Sequence, residues 1–210
     1  MTLELTLQRS DKLEETMLGL LESATYDASD RTRISFNMCN IALGHAISLR
    51  ILIASGNPTS AIVLLRSQFE AVARAIWLVW VASEVNVAKL TAPLTLESQK
   101  AANNLPSLSE MLRQISISKT APSAASQMLA RFKDVSWGAM NSFVHGGIHP
   151  LKRHDEGYSL PMLIQVLQSS NGLSTMAGML LANLSGDTQI IMPMSKIQPD
   201  FEDCLPPSLR

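Results

Sequence analysis

Apolar residues recur at intervals of three and four along most of the chain, which is the spacing of helices that bury one face. The pattern is clearest over residues 58–83, where apolar side chains cover most of the helix circumference and therefore predict a central position in a bundle. Alternation typical of strands is confined to the last residues of the chain. The pattern predicts an all-α fold.

Capping and helix-breaking residues divide this pattern into an antiparallel bundle of about five long helices plus short ones. Asp11, three residues before Glu14, predicts a capped start for the first helix. Gly56 and Pro58 predict a tight connection between the second and third helices, which should therefore be antiparallel neighbours. The predicted helices after the first cover residues 31–55, 58–83, 94–103, 107–118, 120–144 and 159–184.

The same signals predict a single helical bundle domain over residues 1–187, followed by an extended, proline-containing tail over residues 188–210. Prolines interrupt this tail at positions 193, 199, 206 and 207. Within the bundle, residues 146–158 are expected to form a polar loop, because Gly146, Gly147 and Pro150 follow one another closely.

Composition narrows the classes of function. Hydrophobic residues make up 46% of the 210 residues and the formal net charge is -1, which supplies a core but argues against an extended DNA-binding surface. The apolar stretch at residues 60–82 carries three charged residues that are costly in a bilayer, so we expect no membrane span. Two widely separated cysteines, Cys39 and Cys204, provide neither a disulfide framework nor a zinc cluster. We expect a cytoplasmic protein without a cofactor.

The third helix carries the most distinctive chemistry, a charged stripe formed by Arg66, Glu70 and Arg74. Their spacing of four residues places them along one side of an otherwise apolar helix, with Glu70 and Arg74 in the favoured orientation for an ion pair. Charges on a mostly buried helix need partners. The charged stripe is therefore a solvated face, an internal ion-pair ladder, or a site at a groove or dimer interface, where arginine suits phosphate or carboxylate recognition.

His145 is the second candidate, at the predicted C-terminus of the fourth long helix. It either caps the helix end or acts as a general acid–base group or phosphate contact, since imidazole titrates near neutral pH. Asn141 and His149 beside it, together with Arg74, are candidate binding residues. His145, His149 and His154 lack a fourth ligand at a convincing spacing, so we expect no metal site.

Two short motifs resemble segments of uncharacterised bacterial all-helical families. Residues 64–70 (LLRSQFE) are similar to their LLRS-x-x-E helix, and residues 142–147 (SFVHGG) are similar to their S-x-x-H-G helix end. These families in turn resemble the HEPN superfamily (higher eukaryotes and prokaryotes nucleotide-binding). The resemblance covers roughly residues 31–150.

The resemblance implies a dimeric, HEPN-like helical bundle with a link to bacterial defence or toxin systems. Active HEPN ribonucleases place an arginine and a histidine, four to six residues apart, at the dimer axis. His145 matches this histidine, but residues 138–141 contain no arginine. We therefore expect a homodimer that binds a nucleotide, RNA or a protein without catalysis. Two alternatives stay open: an active ribonuclease that uses His145 with Arg66 and Glu70 as catalytic residues, and a purely structural helical dimer.

Overall fold

The computed structural model describes residues 2–207, and over this range the chain is all-α, as the sequence pattern predicts. Five helices have 19 or more residues, and shorter helices connect or follow them. In chain order the helices are α1 (Leu3–Leu21), α2 (Asp30–Ala54), α3 (Pro58–Trp80), α4 (Glu84–Thr91), α5 (Leu96–Ala102), α6 (Leu108–Ile117), α7 (Ser123–Val144), α8 (Ile148–Glu156), α9 (Leu160–Ser185), α10 (Thr188–Ser195) and α11 (Ile197–Asp200), followed by a 3-10 turn at Glu202–Cys204.

Helix α3 is central, as its apolar circumference predicts, because it packs against α2, α6, α7 and α9. Phe69 and Trp77 of α3 are fully buried. The indole nitrogen of Trp77 donates a hydrogen bond to Gln114 Oε1 of α6 at 2.7 Å, so its polar atom is satisfied inside the core. The predicted tight connection between α2 and α3 is confirmed: Gly56 takes a positive φ of 77° and Pro58 opens α3.

A buried glutamine joins α3 to α9. Gln68 Nε2 donates to the Ser170 carbonyl oxygen at 3.0 Å and to Ser174 Oγ at 3.2 Å, and its Oε1 accepts from Ser170 Oγ at 2.7 Å. Because a buried amide without partners would cost about 1–3 kcal/mol, this group favours one register of the two helices. Periodicity alone gave no sign of it.

Helix α1 begins earlier than predicted, at Leu3, where Thr2 Oγ1 accepts a hydrogen bond from the Leu5 backbone. Asp11 is not a helix cap. The carboxylates of Asp11 and Glu14 instead pair with the guanidinium of Arg50 on α2, with Arg50 Nε 2.9 Å from Asp11 Oδ1. The spacing of three residues, which suggested a cap, instead places the two acids on one face of α1. The predicted start of the first helix was therefore wrong.

Residues 188–207, here named the C-terminal segment, form short helices up to residue 204 and pack on the bundle, so the predicted extended tail is wrong over residues 188–204. Their apolar side chains form a second core against α1 and α9. Pro193 is tolerated because it removes a single backbone donor from a helix of eight residues. Residues 208–210 of the predicted tail lie outside the described range. The second core consists of Leu13, Met17, Ala182, Ile190, Met194, Ile197, Phe201, Cys204 and Leu205.

Helices α4 and α8 were not predicted, and α8 replaces the polar loop expected at residues 146–158. Both are short, and α8 has no buried residue, so neither leaves a clear apolar period in the sequence. The expected helices at 94–103, 107–118, 120–144 and 159–184 are confirmed as α5, α6, α7 and α9, with ends that differ by a few residues.

Among the described residues, one helix is long and apolar enough to pass a membrane-span test by length and composition, and it is α2 rather than residues 60–82. Its most apolar 18-residue window has a mean hydropathy of 1.4, and 39% of that window is buried. Core helices of globular proteins meet the same criterion, so this is weak evidence for a span.

Candidate functional site

Arg66 belongs to α3, and its side chain packs against α7. Its Nε donates to Glu70 Oε1 at 2.8 Å, and its guanidinium carbon lies 4.2 Å from the centre of the Trp137 ring on α7. The Arg66 side chain is only 17% exposed. The ion pair therefore joins Glu70 to Arg66, and the expected pair between Glu70 and Arg74 does not form. A flat guanidinium stacks well on an indole face, so Trp137 favours the observed pairing.

Three predicted site residues carry a buried polar side-chain atom without a hydrogen-bond partner. These atoms are Arg66 Nη1, Arg74 Nε and Asn141 Oδ1, and over residues 2–207 only Ser35 Oγ shares the property. Such atoms are rare, because each unmade hydrogen bond of a buried group costs about 1–3 kcal/mol. All three belong to α3 or α7, and water, an ion or a ligand can supply the partners that they lack.

The three residues are spaced along the axes of α3 and α7. Phe69 stacks on Phe132 at 4.7 Å between ring centres while Arg66 stacks on Trp137, so the two helices run antiparallel. Asn141 follows Trp137 by one helical turn, about 6 Å along the axis, whereas Arg74 lies about 12 Å from Arg66 in the opposite direction. The unpaired atoms therefore form an elongated line with two cations.

His145 stands apart from the charged stripe. It ends α7, its side chain is exposed, and its backbone N–H donates to the Asn141 carbonyl oxygen at 3.0 Å. It follows Trp137 by eight residues, about 12 Å along the axis. Within the described residues, no hydrogen bond or ion pair joins His145 to Arg66 or Glu70. One chain by itself does not bring the three predicted catalytic residues together.

The SFVHGG segment builds the turn between α7 and α8. Ser142 Oγ accepts a hydrogen bond from the His149 backbone at 3.0 Å, which satisfies a free N–H at the start of α8. Gly146 takes a φ of 62°, and a Cβ on Gly147 would lie 2.6 Å from Ser142 Oγ. Ser142 and both glycines thus have structural functions in this turn. The side chain of His145 forms no hydrogen bond with any described residue and is available for a different function. The exposed His149 ring stacks near Phe143, 6.2 Å away.

Neither cysteine has the properties of a nucleophile. Burial raises the pKa of the Cys39 thiol to about 12 and, together with nearby Asp203, that of Cys204 to about 11. Both thiols are therefore protonated at neutral pH and behave as small apolar residues. Cys39 is fully buried in the core. Over residues 2–207, no group of three or more His, Cys, Asp or Glu side chains is placed to hold a metal ion.

A second concave site, here named the α7–α9 groove, lies between α7, α9 and the C-terminal segment. Helix α7 packs on α3, α6 and α8, and α9 packs on α1, α2, α3 and α10, so these two helices leave a groove of about 600 Å³ between them. None of the charged-stripe residues lines it. No local pattern in the sequence indicates this site, because its walls come from three distant segments. The apolar lining includes Ala124, Met128, Phe132, Val135, Leu173, Met176, Pro199, Leu205, Pro206 and Pro207.

The fold and these sites define an all-α protein with a polar cluster on one helix pair and a separate apolar groove. Residues 39–207 match DUF6988, a family of unknown function, and the chain belongs to that family. No curated protein matches the chain, and no solved structure matches it. The match begins inside α2, so α1 lies outside it.

Proposed function

We propose that the protein is a non-catalytic, HEPN-like binding module that acts as a homodimer and binds RNA through its phosphates along the charged stripe. The observation that carries this proposal is the set of unpaired, buried polar atoms on Arg66, Arg74 and Asn141. Two of them are arginine N–H donors, which suit phosphate oxygens. The third is an amide oxygen, which accepts hydrogen bonds from a ribose hydroxyl or a base N–H group.

The length of this line favours a strand over a single phosphate. Arg74 and Asn141 lie on opposite sides of Arg66, about 18 Å apart along the helix axes. One phosphate cannot contact all three, and because the atoms are buried, an extended ligand contacts them when the side chains turn outward. The charged stripe has two cations and one anion, a local positive charge on a chain whose net charge is -1. This favours a small number of phosphate contacts rather than an extended nucleic-acid surface.

Replacing Arg66 with alanine is expected to weaken RNA binding by about 10- to 100-fold, because hydrogen bonds to charged groups contribute about 1.5–3 kcal/mol. We suggest measuring fluorescence anisotropy of a labelled ten-nucleotide single-stranded RNA, with unlabelled AMP as competitor. If Arg66 and Arg74 each neutralise one phosphate, log affinity falls with log salt concentration with a slope of about -1.4.

Arg33→Ala is the matched control for this measurement. Arg33 is also a helical arginine paired within its own helix, to Asp30 at 2.7 Å, but it lies on α2. Its loss should leave RNA affinity unchanged. Binding that Arg33→Ala and Arg66→Ala reduce equally, or no binding by the wild type, would reject the proposal and favour the purely structural dimer.

We expect no metal-independent RNA cleavage by the wild-type protein. The HEPN arginine is absent from residues 138–141, and His145 contacts neither Arg66 nor Glu70 within one chain. The measurement is incubation of a labelled single-stranded RNA with wild type and with His145→Ala in EDTA, followed by gel analysis. Cleavage by the wild type that His145→Ala abolishes would instead establish the ribonuclease alternative, with a composite site formed between two copies.

A further inference from the structure

We propose that the α7–α9 groove binds a short, extended, mainly apolar peptide segment of a partner protein. This site is separate from the charged stripe, because none of its lining residues comes from α3. The proposal therefore does not depend on RNA binding.

The dimensions of the groove fit a few residues of extended chain. Its α7 wall covers residues 124–136 and its α9 wall residues 165–176, so each runs for about 16–18 Å at roughly 1.5 Å of rise per residue. Five residues of extended peptide span about 16 Å. The volume of about 600 Å³ lies within the usual range of about 300–1,000 Å³ for preformed binding sites.

The lining combines adaptable apolar side chains with amides. Met128 and Met176 face the groove with Phe132, and methionine fits its shape to different apolar side chains. Gln127 and Gln165 also line it, with Gln168 and Gln198 nearby in the same lining. A glutamine amide offers both donors and an acceptor, which complements peptide backbone groups. Gln168 Nε2 already donates to the Asp203 carbonyl oxygen at 3.4 Å, so the other three amides carry this argument. A ligand that consists only of a hydrocarbon chain has no groups that can form hydrogen bonds with these amides.

Two unpaired charges on opposite walls add polarity. Arg131 belongs to α7 and Glu202 to the C-terminal segment, and neither forms an ion pair with any described residue, although both line the groove. They complement a peptide that carries an acidic group towards α7 and a basic group towards the C-terminal segment. A single cation in the lining does not suit a strand of RNA, which carries a phosphate on every nucleotide.

The third wall is fixed before any partner binds. Asn171 Nδ2 donates to the Cys204 carbonyl oxygen at 2.8 Å, and Arg9 Nε donates to Asp203 Oδ2 at 2.8 Å. Gly172 of α9 lies directly against Pro206, since a Cβ there would be 3.0 Å from Pro206 Cγ. A wall held in this way does not have to be ordered by the ligand, which lowers the entropic cost of binding.

The test is selection from a phage-displayed heptapeptide library on the immobilised full chain, followed by fluorescence polarisation with the selected peptide. We expect apolar peptides that bind at least tenfold more weakly to Val135→Glu, which places a charge in the groove. Val85→Glu is the matched control: Val85 on α4 is 68% exposed and Val135 is 65% exposed, but only Val135 lines the groove. Neither change should affect thermal unfolding.

The same peptide should bind Arg66→Ala with unchanged affinity, which separates this proposal from RNA binding. A library that yields no peptide, or peptides that bind Val135→Glu and Val85→Glu equally well, would overturn it. Displacement of a groove-bound dye such as anilinonaphthalene sulfonate by fatty acids, without any selected peptide, would also overturn it and indicate a small-molecule site.

Discussion

Replacing Phe201 with alanine is expected to lower the free energy of unfolding by about 3–5 kcal/mol, the usual cost of removing a buried phenylalanine. Phe201 is buried in the second core, and the guanidinium carbon of Arg9 lies 4.6 Å from its ring centre. The substitution thus removes both apolar contacts and a cation–π contact between α1 and the C-terminal segment. The measurement is urea unfolding followed by the helical circular dichroism signal.

Met192→Ala is the control, because Met192 lies on α10 but is largely exposed, and its loss should cost less than about 0.5 kcal/mol.

Truncation after Gly186 is expected to have a larger effect than Phe201→Ala, since it exposes Leu13, Met17 and Ala182 at once. Small domains have a total stability of about 5–15 kcal/mol. If the truncated chain were as stable as the full chain, the second core would contribute nothing to stability, as expected of an extended tail.

The second large effect is expected at Arg50. Its side chain is 8% exposed and pairs with Glu14, itself 14% exposed, and with the more accessible Asp11. Arg50→Met leaves the Glu14 carboxylate without its partner, and breaking such a buried pair costs about 3–5 kcal/mol. We expect about 3 kcal/mol in urea unfolding, the lower end, because solvent reaches Asp11.

Removing both charges should be less harmful than removing one. The double variant Arg50→Met, Glu14→Leu contains no buried unpaired carboxylate, and buried ion pairs are often replaced by apolar residues at little cost. We therefore expect it to recover at least half of the stability that Arg50→Met loses. Equal or lower stability of the double variant would show that Arg50 acts through packing of its alkyl chain rather than through charge.

The sequence predicted the long helices well because their signals are local. Periodicity located α2, α3, α7 and α9, and Gly56 with Pro58 located the connection between the first two. The errors occur where tertiary contacts decide. Packing on α1 and α9 makes the proline-rich C-terminal segment helical, and Arg50, distant in sequence, determines the function of the acids that resembled a capping box.

The candidate site also combines features with a local signal in the sequence and features that only tertiary contacts decide. Charge on an apolar helix was enough to select Arg66, Glu70 and Arg74, but the direction of the ion pair depends on Trp137 of another helix. Spacing also could not show that His145 lies apart from them. The α7–α9 groove left no motif at all, because exposed apolar residues such as Val135 look like ordinary helix surface in a sequence.

The close contact between Gly172 and Pro206 has a consequence for other members of DUF6988. A Cβ at this position would lie 3.0 Å from the Pro206 ring, so a side chain there requires the ring to move away from α9 by at least a few tenths of an ångström. The residue at position 172 therefore indicates the width of the α7–α9 groove, and it can be identified in each member from a sequence alignment. Members with glycine there should accept slender ligands, and members with a larger residue should have a wider groove or attach the segment elsewhere.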